Sequence, residues 1–428
     1  MLNIRTSIVW IPVIACLFSC SFHARERKVR IEKKDQGWEL LVNNQPFYIK
    51  GVVGDSYPNL VKEYGGNTVR TGWKIEDLDK IHQAGLYALV NLPANAERYG
   101  MDYSDTASVR KQQDTLLKMV RSVKDHPAVL MWAIGNELDF IPPLLPFNPK
   151  VWDAVNSIAK EIHEIDPDHP VMTVIGTDMM EKVKDIVIRC PDLDLLGINS
   201  YGDIYTLKEA LDRYGWKRPY AITEWGPSGY WEVHKTPWGA PFEQTGREKL
   251  ECYRDKYLNA IAKEKAQCLG SFVFYWKGFK QETTHTWFCL FDIHGNRSPM
   301  VELMRSLWNG QKDIPTGIPV VDSMTIAGFS SKEAVYLLSG KEYDARAFCS
   351  NGDCTSFSCS WEIRPEAKYA AYAGQGEKEP KPLQGLGDSR TTEILFHAPH
   401  EKGAYRLFVY IYNGKGNFST ANLPLYVK

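Results

Sequence analysis

The chain has 428 residues, and its 51 basic against 52 acidic residues leave a formal net charge of -1, so no global electrostatic footprint for nucleic acid exists. Hydrophobic residues at 44% and charged residues at 24% exclude disorder or coiled coil as the main state. At roughly 150 residues per domain the length suggests two or three domains, although an α/β barrel can use about 250 alone.

Near the N-terminus, Arg5 is followed by the apolar run from Ile8 to Leu17. That run is shorter than the roughly 20 residues a membrane-spanning helix needs. A charged start before a short apolar core reads as a secretory signal. It ends Leu17-Phe18-Ser19-Cys20, which resembles a bacterial lipobox. Residues 1–20 are therefore expected to be a lipoprotein signal peptide with Cys20 as the lipidation site. Ordinary cleavage nearby is the alternative. No later run reaches membrane length, so membrane contact is expected only through that anchor. The expected location is the cell envelope, at the outer membrane or cell surface.

Residues 28–49 read as a hairpin with a turn at Asn43-Asn44. Short apolar runs then recur at Gly51–Val53, Thr68–Arg70, Tyr87–Val90, Val129–Ile134, Val171–Ile175, Leu193–Ile198, Tyr220–Thr223 and Phe272–Trp276. Segments of helical period separate them. Leu78, Ile81 and Gly85 mark one; Leu116, Val120 and Val123 stripe another; Val155, Ile158 and Ile162 stripe a third. Strands buried on both faces and alternating with helices predict a parallel sheet. Eight of them predict an α/β chain with a (β/α)8 TIM barrel over residues 28–308, hairpin included. A doubly wound open sheet is the alternative, disfavoured because no Gly-rich phosphate loop follows the first strand. Residues 309–319 read as a linker. Short alternating segments over 320–428 predict a small Ig-like β-sandwich.

Of nine cysteines, Cys16 and Cys20 fall in the signal region. Cys190, Cys252, Cys268 and Cys289 are expected as buried thiols among apolar neighbours. Cys349, Cys354 and Cys359 lie close together, and an exported protein could pair two of them. No CxxC, HExxH or zinc-like His-Cys spacing occurs.

Catalytic groups of such a barrel sit at the C-terminal ends of its strands. Two carboxylates are placed there. Glu137 follows Trp132-Ala-Ile-Gly-Asn136, and Glu224 follows Ala221-Ile-Thr223 and precedes Trp225-Gly226. Cleavage of a glycosidic bond needs one carboxylic acid to protonate the leaving oxygen and one carboxylate to stabilise or attack the anomeric carbon. Glu137 is expected to be the protonated acid. Glu224 is expected to be kept ionised by donors, with Arg70 and Tyr201 as candidates.

Gly135-Asn136-Glu137, Ile222-Thr-Glu224-Trp-Gly226, Asn199-Ser-Tyr201 and Asn67-Thr-Val-Arg70 resemble the retaining (β/α)8 glycosidases of clan A. Val42-Asn-Asn-Gln-Pro46-Phe-Tyr-Ile-Lys-Gly51 is similar to the barrel entry of glycoside hydrolase family 2. The layout, a barrel and one Ig-like domain behind a lipoprotein signal, resembles the endo-β-1,3-glucanases of glycoside hydrolase family 158. The resemblance implies roles residue by residue. Glu137 matches the acid/base and Glu224 the nucleophile. Asn136 matches the partner of the sugar 2-hydroxyl, Arg70 the arginine beneath the nucleophile, and Tyr201 the tyrosine that orients it. Asn199 stands in the same substrate-binding set, and Trp276 matches the aromatic floor under the sugar.

Aromatic residues are 12% of the chain. They fill cores first, but sugar rings also stack on them. Trp73, Trp225, Tyr230, Trp231, Trp238 and Trp287 are expected around the mouth, with Glu232 and His234 interleaved and Trp231 counted among the substrate contacts. Glu97, Arg98, Tyr99 and Glu282 fall in mouth loops as well. The resulting expectation is a retaining β-glycosidase without cofactor or metal, acting on polysaccharide or oligosaccharide and leaning to endo action on β-1,3-glucan. An exo-acting β-galactosidase or β-glucuronidase, or an endo-β-mannanase, is the alternative. A transglycosylase would differ only in what resolves the intermediate. A surface glycan-binding protein would not need the opposed carboxylates, and a metal-dependent hydrolase would need His ligands at strand ends.

Overall fold

The computed structural model describes residues 28–140, 148–178, 180–330, 332–352, 356–368, 377–389 and 391–428. The expected signal segment and Cys20 lie outside the described residues. Strands β1 (Val29–Lys34), β2 (Gly37–Val42) and β3 (Gln45–Pro46) form an antiparallel sheet. The next eight close into a parallel barrel: β4 (Ile49–Val53), β5 (Thr68–Thr71), β6 (Tyr87–Leu92), β7 (Val129–Ile134), β8 (Val171–Gly176), β9 (Leu195–Asn199), β10 (Tyr220–Trp225) and β11 (Cys268–Val273). Helices α1 (Pro58–Glu63), α2 (Ile75–Gln83), α3 (Thr106–Val123), α4 (Lys150–Ile165), α5 (Lys182–Arg189), α6 (Leu207–Arg213), α7 (Gly246–Lys256) and α8 (Pro299–Trp308) follow their strands around it.

The strand sequences explain the two layers. In β7, Met131 and Ala133 join the barrel interior, while Trp132 and Ile134 pack outward in the cluster that holds the helices. The expected helical stripes supply the other side of that cluster: Leu78 and Ile81, Leu116, Val120 and Val123, then Val155, Ile158 and Ile162 are all buried. Asp105 caps α3 by accepting from the Ala107 N–H at 3.0 Å, and a Thr245/Glu248 capping box starts α7. The hairpin closes the barrel's N-terminal end. Val29 N donates to Asp168 O (3.1 Å) and Trp38 N to Ala266 O (2.8 Å), just ahead of β8 and β11.

One strand differs from the sequence reading. The eighth barrel strand is Cys268–Val273, not Phe272–Trp276. Gly270 and Ser271 dilute its hydrophobic signal, and the aromatic run after it carries a stronger one. Gly270 is required there. Its φ is +130°, and a Cβ would lie 2.2 Å from Ile49 O, where β11 closes onto β4.

The remaining strands form two stacked sheets, as a β-sandwich requires. One orders β13 (Phe329–Ser330), β12 (Val320–Ile326), β15 (Glu342–Ser350) and β18 (Glu393–His397). The other orders β14 (Val335–Leu337), β20 (Phe418–Val427), β19 (Gly403–Tyr412), β16 (Ser358–Pro365) and β17 (Gln384–Ser389). Trp361, Leu407, Val409 and Leu423 fill the space between. Cys349 is disulfide-bonded and Cys359 is a free, buried thiol. Cys354 lies outside the described residues. Cys190, Cys268 and Cys289 are buried thiols as expected, whereas Cys252 is half-buried. No helix among the described residues is long and apolar enough to cross a membrane.

Sandwich and barrel meet through buried polar groups. Glu243 accepts from Lys249 Nζ (2.6 Å), Thr284 Oγ1 (2.5 Å) and Asn422 Nδ2 (2.6 Å). Burial pushes its carboxyl up, but Lys249 and these donors outweigh it and hold the group below the usual range. Arg406 donates to Pro241 O at 2.9 Å, and His285 Nε2 lies 2.6 Å from the Tyr410 hydroxyl. Glu243→Ala leaves the Lys249 ammonium buried without its carboxylate. The expected loss is about 3–5 kcal/mol, read as a lower urea midpoint; an unchanged midpoint would show that the network does not hold the domains together.

Candidate active site

Five barrel strands deliver polar side chains to one point at the C-terminal mouth. Arg70, on β5, is 6% exposed. Its Nη1 donates to Glu224 Oε1 (2.8 Å), Thr223 O (3.2 Å) and Asn199 Oδ1 (3.3 Å). Its Nη2 donates to Asn136 Oδ1 (2.6 Å) and Asn91 Oδ1 (3.2 Å). A planar fork with several donors suits this arrangement better than an ammonium would.

Strict strand alternation would turn Glu224 outward. Ala221 faces the barrel interior and Ile222 the helices. Thr223 faces inward, donating to Asn199 Oδ1 at 2.9 Å. The register of β10 shifts between Ile222 and Glu224. Such a bulge re-aims a side chain. It lets Glu224 follow Thr223 into the mouth, while Trp225 resumes the outward face against Tyr253.

Glu137 is presented by a different device. The chain leaves β7 through Gly135 at φ +69°, and Glu137 itself is left-handed at φ +49°. A Cβ at Gly135 would lie 2.7 Å from the Leu138 side chain. A left-handed non-glycine costs of order 1–3 kcal/mol and persists only when its surroundings hold it. Asn199 Nδ2 donates to Glu137 Oε1 at 2.7 Å and to Asn136 Oδ1 at 3.1 Å. The two carboxylates are thus joined through one amide and one guanidinium.

Tyr201 is 7% exposed and donates to Glu224 Oε2 at 3.3 Å. Burial, and after it the Glu224 and Glu137 carboxylates, hold its hydroxyl well above its ordinary range, so it remains a donor. Glu224 departs from expectation. Arg70 and Tyr201 are in place and lower its carboxyl, but burial is the larger effect, and Glu137 and Glu282 add to it. The carboxyl is pushed up to about 7.

Of the expected aromatics, Trp231 stands at the mouth. It is 50% exposed and meets Tyr201 edge-on at 5.4 Å. Trp276 does not. It is wholly buried behind the barrel, 5.2 Å from Phe291 and 6.1 Å from Trp308. With β11 ending at Val273, the aromatic beside the site is Phe274, which lies 6.3 Å from Tyr201 and stacks on Tyr275 at 4.7 Å. Trp225 is buried against α7, Trp238 packs on Tyr336 and Tyr426 of the sandwich, and Trp287 is buried with its Nε1 on Ser228 O. Tyr230 lies against Trp231, and Trp73 is half-buried on the outer core. Glu232 turns to the backbone N–H groups of Gly202 and Gly229, and His234 is exposed beside it. Glu97 accepts from Asn148. Glu282 pairs with Lys280 at 2.6 Å.

Sequence reasoning missed Asn91, Phe274 and Tyr275. Asn91 had a signal, a lone amide near the end of an otherwise apolar strand. A groove of about 680 Å³ lined by Tyr205, Glu232, His234 and Cys252 shares no residue with the carboxylate pair. Among the described residues, no group of three or more His, Cys, Asp or Glu side chains could hold a metal ion.

The family model for glycosyl hydrolases family 2, TIM barrel domain, matches residues 59–303. A β-glucuronidase of Rattus norvegicus is 24% identical over 270 residues, covering 56% of this chain and 40% of that protein. A β-glucuronidase of Paenibacillus borealis is 23% identical over 234 residues, covering 48% and 37%. The chain thus spans about two fifths of the length of these curated relatives. A glycoside hydrolase family 5 mannosidase from Rhizomucor miehei superposes with a TM-score of 0.50 at 11% identity, covering 66% of this chain and 97% of the mannosidase. At that identity the likeness is one of fold.

Proposed function

The chain belongs to glycosyl hydrolase family 2 through its TIM barrel domain, and from that premise we propose that it is a retaining β-glycosidase. The observation that carries this reading is the joined pair: Glu137 and Glu224 both reach Asn199, one directly at 2.7 Å and the other through Arg70.

In the first step, Glu224 attacks the anomeric carbon while Glu137 gives its proton to the leaving oxygen. The glycosidic C–O bond breaks and an ester to Glu224 forms. In the second step, Glu137 takes a proton from water, the water oxygen attacks the same carbon, and the ester bond breaks. Asn136 turns its carbonyl to Arg70 and Asn199, which fixes its amide N–H₂ as the end free for a sugar hydroxyl. Tyr201 and Arg70 hold the nucleophile's two oxygens, so little reorganisation is needed as charge leaves it.

The finer proposal is endo action on β-1,3-glucan, supported by the β-sandwich that follows the barrel and by Trp231 exposed at the mouth. A second reading, a β-glucuronide as substrate, is favoured by the β-glucuronidase relatives. A lipid on Cys20 would hold the enzyme at the cell surface. A hydrolysis screen against laminarin, mannan, galactan and aryl β-glucuronide separates the substrates. Proton NMR of the first product should show the β anomer before mutarotation. An initial α anomer would sink the double-displacement reading.

A further inference from the structure

Arg98 lies in the turn Glu97–Tyr99, between β6 and α3. Its guanidinium sits 4.7 Å from the Tyr99 ring centre and 5.4 Å from that of Phe140. Its hydrogen bonds run to the backbone behind the acid/base. Nη1 donates to the carbonyls of Glu137 and of Phe140, the latter at 3.1 Å, and Nη2 reaches Asn136 O at 3.5 Å. On the other side, Glu137 N donates to Val174 O at 2.8 Å and Phe140 N to Glu137 O at 3.1 Å. The left-handed Glu137 thus has its N–H fixed to β8 and its carbonyl fixed by Arg98 and its own turn. The turn that carries Arg98 is held in place as well, because Glu97 Oε1 accepts from Asn148 Nδ2 (2.9 Å) and Tyr103 N (3.4 Å).

We propose that Arg98 is the positioning residue of Glu137: by capping the Asn136, Glu137 and Phe140 carbonyls it holds the strained backbone that aims the acid/base at the leaving oxygen. This inference rests on the reading of Glu137 as acid/base. Arg98 acts through backbone groups alone. Without it, Glu137 has less to keep it out of the ordinary φ range, and its carboxyl swings from Asn199. A misplacement of about 1 Å can cost roughly 10²-fold in rate.

The test uses leaving groups that differ in their need for a proton. An oligosaccharide leaving oxygen must receive one as the C–O bond breaks. A dinitrophenolate departs as a stable anion without it. In the second step azide can replace water, since it needs no base, and it yields the glycosyl azide. Laminari-oligosaccharide and dinitrophenyl β-glucoside serve as probes, or the same pair of aglycones on the sugar found in the screen. Glu137→Ala should lose roughly 10²–10⁴-fold on the oligosaccharide, far less in the release of the first dinitrophenolate, and regain turnover with azide. Arg98→Ala should show the same signature at smaller amplitude, about 10–10²-fold. Arg98→Lys, with one point donor in place of a fork, should fall between wild type and Arg98→Ala.

Equal losses on both aglycones without azide rescue, in Arg98→Ala and Arg98→Lys alike, would overturn the proposal, as would unchanged kinetics. If Glu137→Ala itself lacks the leaving-group dependence, the acid/base reading falls first and Arg98 has nothing to position.

Discussion

Glu224→Gln should lower turnover by about 10⁴-fold or more on every hydrolysed substrate, with no dependence on the leaving group. The nucleophile is needed before any bond to the aglycone breaks, so an activated aglycone cannot bypass it. The contrast with Glu137→Ala, which an activated aglycone partly rescues, separates the two roles within one experiment. The same variant should change stability in the opposite sense. Burial raises the Glu224 carboxyl from 4.5 to about 7 with Arg70 already beside it. A carboxyl raised in the folded state binds its proton more tightly there than in the unfolded chain. Its contribution is therefore fully present below the unfolded value and is lost as pH rises to about 7. Gln carries no charge to desolvate. Glu224→Gln should match wild type at about pH 4 and exceed it at about pH 8.5, by an amount on the order of 3 kcal/mol at most. Urea midpoints at those two pH values read it. Residual hydrolysis near wild-type level would remove Glu224 as nucleophile, and a stability difference that does not grow with pH would remove burial as the cause of its raised carboxyl.

How far the sequence disclosed this site follows from what pattern can carry. Glu137 and Glu224 stand out because each ends a buried apolar run, and a charge there must be solvated, paired or used. Arg70 stands out for the same reason. The bulge that turns Glu224 inward leaves no mark, since Ala221-Ile-Thr-Glu-Trp225 reads as an unbroken strand; only pairing with β9 and β11 shows the shift. Trp276 misled because aromatic residues raise local hydrophobicity whether they lie in a strand or just past it. Asn91 carries a weak signal that becomes clear only when Arg70 is seen to donate to it. The docking of the sandwich through Asn422, Tyr410 and Arg406 was illegible, because polar residues on β19 and β20 look solvent-facing until the barrel covers them.

Arg70 offers the sharpest test of how charge is balanced at the mouth. Arg70→Met removes the cation that lowers the Glu224 carboxyl, while burial, Glu137 and Glu282 continue to raise it. The carboxyl must then rise further above about 7. The nucleophile is needed ionised, so the acid limb of kcat/KM, which reports the free enzyme, should move from near pH 7 toward higher pH. From a starting value of about 7, a further rise to about 8 or 9 leaves about 5–50-fold less ionised nucleophile at pH 7. Loss of the fork that also holds Asn136 and Asn199 adds misalignment, so kcat/KM near pH 7 should fall roughly 10²-fold or more. Removing one partner of a buried pair costs about 3–5 kcal/mol only while the other stays charged. Here that cost should shrink at low pH, because a protonated Glu224 no longer needs the cation. Arg70→Lys retains the charge without the fork. It should keep the acid limb near its wild-type position while kcat/KM still falls. The two variants separate the electrostatic role of Arg70 from its geometric one. An acid limb that stays put in Arg70→Met would mean that the guanidinium at 2.8 Å does not govern the ionisation of Glu224, and that the nucleophile is kept competent by Tyr201 instead.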